Sequence, residues 1–156
     1  MEVKQVILYR RDLKMRKGKI AAQVAHASLK VFFDRKLEFS NDTGREIDVT
    51  GFVLGTGSKV NMPGQRFLIS PLTEEMDAWV NGQFAKIVLS VETEEDLLRA
   101  YEEANDRGIP CSLIQDAGRT EFHGVPTYTT VAIGPAMADK IDLLTGPEGL
   151  IQTKLA

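Results

Sequence analysis

The chain has 156 residues, 43% hydrophobic and 26% charged, which is the make-up of a single soluble globular domain able to bury a core without cross-links. Its one cysteine, Cys111, excludes an intrachain disulfide framework and a multi-cysteine metal site. A net charge of −3 and a pI near 5.5 argue against a protein that coats nucleic acid, and no apolar run reaches signal-peptide or membrane-spanning length, so cytoplasmic residence is expected.

Residues 4–9, KQVILY, read as a short buried strand bounded by charge. A basic loop follows. Lys4, Arg10, Arg11, Lys14, Arg16, Lys17 and Lys19 stand against the lone Asp12, while the acids collect at Glu74, Glu75 and Asp77 and at Glu92, Glu94, Glu95, Asp96, Glu102 and Glu103. One positive patch on an acidic chain suits the docking of one polyanion in one orientation. A charge run on its own is more often a solvated loop.

From Gly18 the spacing becomes helical, fading at 32–35. Lys19, Gln23, His26 and Lys30 fall on one narrow stripe, and Ile20, Ala21, Val24, Ala25, Ala27 and Val31 cover most of the rest. An ordinary surface helix shows the opposite balance. This helix is therefore expected to pack on several sides, with its polar stripe turned to a cleft. Unless something elsewhere answers that stripe, it is simply the solvated edge of a core helix.

Residues 36–65 are the least regular stretch. Glycines 44, 51, 55, 57 and 64 with Pro63 mark repeated turns, and 52–54 reads as a short strand. A second helix is expected with Ser70 as N-cap, Pro71 at its first position, Glu74 and Glu75 in its first turn, Met76 and Trp79 buried, and an end at Gly82. Residues 85–91, AKIVLSV, read as a strand. Thr93 with Asp96 three residues on opens a helix that continues through Leu97, Leu98, Tyr101 and Ala104 and stops by Gly108 and Pro110. Residues 111–114 form a third strand leading into DAGRT at 116–120, and 127–133 a fourth. Gly134 and Pro135 then precede a final helix over 136–144 that stops at Gly146. Strands interleaved with helices predict a compact three-layer α/β/α sandwich with a mixed sheet of about four strands.

DAGRT stands at a strand end, where ligands and catalytic groups of open α/β sheets collect, and Gly118 permits a tight turn there. A lone carboxylate after a strand is most often a cap or turn residue. Elsewhere, Gly18 and Lys19 lack the remainder of a nucleotide-binding phosphate loop, His26 and His123 have no metal-site spacing, and Cys111 reads as an inert thiol in a buried strand.

Taken together, RRDLKMRKGKIAAQVAHA at 10–27, the KIVL strand, SLIQDAGRT at 112–120, and IGP followed by IDLLTG resemble the type 2 peptidyl-tRNA hydrolase family, the form typical of archaea and eukaryotes. The resemblance runs from Lys4 to Gly146. It implies hydrolysis of the ester between a peptide and the 3′-terminal ribose of tRNA, on a compact α/β fold, without metal or cofactor. Peptidyl-tRNA would be the partner, and a homodimer is in keeping with the family. The family's active-site positions fall on Lys19, Gln23, Asp116 and Thr120, with Gly18, His26 and Gly118 lining the cleft.

The residue types fit that chemistry. Ester hydrolysis needs a positioned water, stabilisation of an oxyanion and help for the leaving hydroxyl. Asp116 can activate or orient water. Lys19 and Gln23 are donors for the oxyanion or the terminal phosphate. Thr120 is a hydrogen-bonding group or a nucleophile. Arg10, Arg11, Lys14, Arg16, Lys17 and Arg119 would meet tRNA phosphates, helped by the helix N-terminus at Gly18.

The chain departs from the family pattern at four places. Arg16 stands where Gly is usual, Val24 replaces a common Cys, and EFHGVPTYT at 121–129 differs from the usual loop and is about one residue longer. The single domain over 1–156 also carries an irregular insertion at about 36–70. A non-catalytic RNA-binding or adaptor protein on the same fold, or an esterase acting on another aminoacyl or peptidyl ester, are the alternative readings.

Overall fold

The computed structural model describes residues 1–40, 47–48, 59–60 and 66–156. The chain divides into two compact units, Met1–Asp34 with Leu72–Ala156, and Arg35–Pro71. In chain order the elements are β1 (Val3–Arg10), α1 (Lys17–Phe33), β2 (Leu37–Ser40), β3 (Ile47–Asp48), β4 (Lys59–Val60), β5 (Arg66–Ile69), α2 (Glu74–Asn81), β6 (Lys86–Val91), α3 (Glu94–Asp106), β7 (Cys111–Asp116), β8 (Thr127–Met137), α4 (Ala138–Thr145) and β9 (Lys154–Leu155). Within the smaller unit β2 pairs with β5 and β3 with β4, both antiparallel. The strand expected at 52–54, and the turns expected at the glycines from 44 to 64 and at Pro63, lie outside the described residues.

The larger unit is built on a five-stranded mixed sheet in the order β7-β8-β1-β6-β9. β1 runs parallel to β6 and antiparallel to β8, which is in turn antiparallel to β7. Alternate residues of β1 feed two separate cores. Val6 and Leu8 pack with Val131, Ile133, Leu97, Ala100, Ile141 and Leu144 toward α3 and α4. Ile7 packs with Ala27, Val31, Met76, Ile114 and Ala132 toward α1 and α2. Helices on both faces explain why β1 reads as a continuous apolar run and not as an alternating one. The three-layer α/β/α sandwich is as expected, with five strands in place of about four. The extra strand, β9, has two residues, too few to carry a period-two signal.

Three features differ from the sequence reading. α2 starts at Glu74 because Thr73, not Ser70, is its cap: the Thr73 hydroxyl accepts from the Met76 amide at 3.2 Å. Met76 and Trp79 are buried, as expected. The second difference is that β8 does not stop before Gly134 but continues through Pro135 to Met137, which delays α4. The side chain of Gln5, fully buried at a register shift in β1, makes this possible by donating to the Gly134 carbonyl at 3.1 Å. Gly134 has φ +90°, and a Cβ there would lie 2.7 Å from the Lys4 carbonyl, so the crossing requires glycine.

The third difference is the packing of α1, which buries one line of residues and not several sides. Gln23, Ala27 and Val31 face the sheet, while Ala21, Ala22, Ala25 and Leu29 are exposed. Alanine is small and an excellent helix former, so leaving it in water costs little. α3 begins as read: Thr93 accepts from the Asp96 amide and donates to its carboxylate. Among the described residues no helix is long and apolar enough to cross a membrane.

Since β7 runs parallel to β1, the loop leaving β1, the first turn of α1 and the C-terminal end of β7 lie at one end of the sheet. That end is where open α/β sheets place their ligands.

Candidate active site

Lys19 and Gln23 are one helical turn apart and so project from the same side of α1. Asp116 is the last residue of β7. Lys19 Nζ donates to Asp116 Oδ2 at 2.6 Å and to Thr120 Oγ1 at 3.2 Å, and Gln23 Nε2 donates to the same Oδ2 at 3.0 Å. The ammonium and carboxylate are both mostly shielded from water, at 14% and 15% exposure, where a charge pair is screened less than at the surface. The four residues that the resemblance placed together are within one hydrogen-bonded cluster.

Gly118 determines how Thr120 arrives there. Its backbone has φ +77°, its amide donates to Asp116 Oδ1 at 2.8 Å, and a Cβ would lie 2.3 Å from the Val125 carbonyl oxygen. The chain can therefore fold back directly over the glycine. Phe122 and Gly124 both donate their amides to the Gly118 carbonyl, at 3.2 and 2.9 Å, and Val125 N donates to Phe122 O. Glu121 at the start of this turn accepts from Arg16 Nε at 2.7 Å.

The Lys19 hydrogen bond, above all, holds the Asp116 carboxyl below its usual range. The Gly118 amide, the Lys19 charge and the Gln23 amide act in the same direction, and partial burial opposes them. Asp116 is accordingly a persistent anion at neutral pH. It accepts at both oxygens and keeps one lone pair, on Oδ1, for a further donor.

Two residues bonded to this cluster escaped the sequence reading. Thr129, buried in β8, donates to Gln23 Oε1 at 2.5 Å, and Thr130 donates to Thr129 at 3.4 Å. The result is a directed series of donors from the sheet interior to the anion: Thr130, Thr129, Gln23, Asp116. Its only sequence signal was a pair of adjacent threonines ahead of the apolar run VAI.

Arg10 requires a correction, since its guanidinium turns inward. It is bound twice by the Asp12 carboxylate, at 3.1 and 2.7 Å, and also by Glu94 and the Tyr128 carbonyl. The Asp12 hydrogen bond chiefly raises its pKa. Arg10 therefore ties the end of β1 to the start of α3 and is not part of the exposed basic surface. That surface consists of Arg11, Lys14, Arg16, Lys17 and Arg119, all exposed. Arg11 lies 3.7 Å from Glu92, and both line a cavity of about 400 Å3 with Tyr9, Asp12, Lys14, Met15 and Ile20.

Gly18 is exposed in the first turn of α1. His26 is exposed one turn beyond Gln23 and takes no part in the cluster's hydrogen bonds. Burial pushes the Cys111 thiol up to about 11, which leaves it protonated and unreactive. Among the described residues no group of three or more His, Cys, Asp or Glu side chains is placed to hold a metal ion.

An anion with a free lone pair, an ammonium beside it and a hydroxyl within reach can orient water and stabilise a developing oxyanion. Comparison with known proteins points to the same type of chemistry. Residues 3–148 match the family model described as peptidyl-tRNA hydrolase PTH2. The chain is similar to a protein named peptidyl-tRNA hydrolase from Methanococcus maripaludis strain C6, at 35% identity over 142 residues, 90% of this chain and 92% of the relative. A protein of that name from Methanocaldococcus jannaschii is 33% identical over 144 residues, 92% of this chain and 96% of its own. Another, from Methanopyrus kandleri, is 35% identical over 149 residues, 96% and 98%.

Proposed function

The chain belongs to the peptidyl-tRNA hydrolase PTH2 family, and we propose that Lys19, Gln23, Asp116 and Thr120 carry out its reaction, hydrolysis of the ester joining a peptide to the 3′-terminal ribose of tRNA. The observation that carries the assignment is the 2.6 Å contact between Lys19 and Asp116, residues 97 apart in the chain. In the reaction water adds to the ester carbonyl carbon, and the carbonyl electrons move onto oxygen. The bond to the ribose oxygen then breaks, that oxygen takes one proton of the attacking water, and the other proton is released to solvent. The products are a peptide with a free carboxylate and a tRNA with a free 3′ end. Such a substrate fits a cytoplasmic location.

In this scheme Asp116 holds the attacking water through the free lone pair of Oδ1. A carboxylate with a depressed pKa is a weak base, which favours orientation and polarisation of the water over full removal of its proton. Lys19 supplies the positive charge for the oxyanion. Gln23 donates to Asp116 and is itself held by Thr129, so its role is to position the carboxylate. The Thr120 oxygen accepts from the Lys19 ammonium, which reduces its nucleophilicity and leaves its O–H to donate to the substrate. We therefore assign it as a donor.

The test uses N-acetylated aminoacyl-tRNA beside the unblocked aminoacyl-tRNA. Free tRNA is expected from the first and not from the second. Release from neither would sink the hydrolase reading, and equal release from both would point to a broader ester hydrolase.

Arg11, Lys14, Arg16, Lys17 and Arg119 form the proposed landing for tRNA phosphates. Reversing Lys14 and Lys17 to Glu is expected to raise KM roughly tenfold, alike for unrelated tRNAs, and to flatten the dependence of KM on salt. KM values measured across a salt series for two tRNAs check this, and an unchanged salt slope would remove the loop from the interface.

A further inference from the structure

Building on that reading, we propose that the ring of Phe122 is the platform on which the 3′-terminal adenine of the tRNA stacks. The ester and this adenine are attached to the same ribose. Whatever holds the ester carbonyl against Lys19 and Asp116 therefore brings the base to within one sugar of them. Phe122 occupies that neighbourhood, since Lys19 Nζ lies 5.6 Å from the centroid of its ring. The ring is only partly buried, and it belongs to neither of the two apolar cores, so core packing does not account for it.

The backbone beneath the ring is firmly set. Phe122 and Gly124 donate to the Gly118 carbonyl, Val125 donates back to Phe122, and His123 takes a left-handed φ of +51°. A non-glycine residue persists in that conformation only when its surroundings enforce it. The turn is also strapped by Arg16, 79% exposed, whose Nε donates to the mostly shielded Glu121. The outcome is an aromatic ring set beside the catalytic pair, with Lys19 over it and the exposed Arg16 bonded to the residue that precedes it. Single-stranded nucleic-acid sites combine the same elements, a π-face for the base and positive charge for the backbone.

Binding and hydrolysis are read separately. NMR titration compares the trinucleotide CpCpA with the same oligonucleotide carrying an abasic terminal sugar, on wild type, Phe122→Ala and Phe122→Tyr. KM and kcat are measured on N-acetylated aminoacyl-tRNA. Wild type is expected to prefer CpCpA roughly tenfold, Phe122→Tyr to keep that preference, and Phe122→Ala to lose it. In turnover Phe122→Ala should raise KM by about tenfold while kcat stays within about threefold. The platform is overturned if Phe122→Ala keeps the base preference, if Phe122→Tyr loses as much as Phe122→Ala, or if wild type hydrolyses the substrate yet binds both oligonucleotides equally. In that last case the hydrolase reading stands. Base-dependent, Phe122-dependent binding without hydrolysis would overturn the hydrolase reading and leave the platform in place.

Discussion

Asp116→Asn is expected to lower kcat/KM for peptidyl-tRNA by about a hundredfold or more while leaving the fold intact. The replacement has the same size and shape, and its oxygen can still accept from the Gly118 amide. On the other side an NH2 group would face two further donors, the Lys19 ammonium and the Gln23 amide, where Oδ2 now accepts from both. Gln23 is not free to turn its oxygen around, because that oxygen is held by Thr129. The site thus loses its anion, and Lys19 loses its counter-ion. Single-turnover release of tRNA, with Tm measured alongside, checks this. Near-native turnover would remove Asp116 from the mechanism.

Lys19→Met should reduce kcat/KM by about a hundred- to a thousandfold, since it keeps the apolar stem and deletes the charge aimed at the oxyanion. It has a second consequence through Asp116. In the wild type the Lys19 hydrogen bond is the main cause of that carboxyl's lowered pKa, and partial burial works against it. With the ammonium gone, burial is less opposed and the pKa rises. The wild-type pair contributes stability that is fully present above the unfolded carboxyl value and is lost as pH falls through the lower folded value. Its ionised form persists throughout the neutral and mildly acid range. The variant's acid limb, in both the pH–rate profile and the pH dependence of Tm, should therefore lie at higher pH than the wild type's. An unshifted limb would show that Asp116 does not depend on Lys19 for its charge state.

The legible parts of the fold were those whose signals are local. β1 is a short apolar run bounded by charge, α3 carries its own cap in Thr93 and Asp96, and α1 shows the helical period. Where two local signals competed, the outcome depended on geometry. Ser70 and Thr73 both precede acidic residues, and the cap is the one whose hydroxyl reaches the Met76 amide. β8 passes through Gly134 and Pro135, a pair that reads as a stop, because a glutamine 129 positions earlier supplies a hydrogen bond to the Gly134 carbonyl. No local pattern encodes that.

The candidate site divides in the same way. Lys19, Gln23, Asp116 and Thr120 belong to two recognisable blocks, whereas Thr129 joins them through a buried bond to a residue 106 positions away. Arg10 was counted with the surface cations because it sits in a basic run. Besides the neighbouring Asp12, its guanidinium is held by Glu94 and the Tyr128 carbonyl, 84 and 118 positions further along the chain. Charge counts along a sequence cannot distinguish a phosphate-facing arginine from one that fastens two elements together.

The threonine–glutamine series has an evolutionary corollary. The carboxylate is steadied from beneath, through Gln23, by the interior strand β8, while the turn at 118–125 passes over it. Apart from Thr120 and the Gly118 amide, that turn can be rebuilt, lengthened or restocked with different side chains without disturbing what holds the anion below. On the proposed reading, reactivity falls to the interior of the molecule and ligand preference to its rim, which is free to diversify.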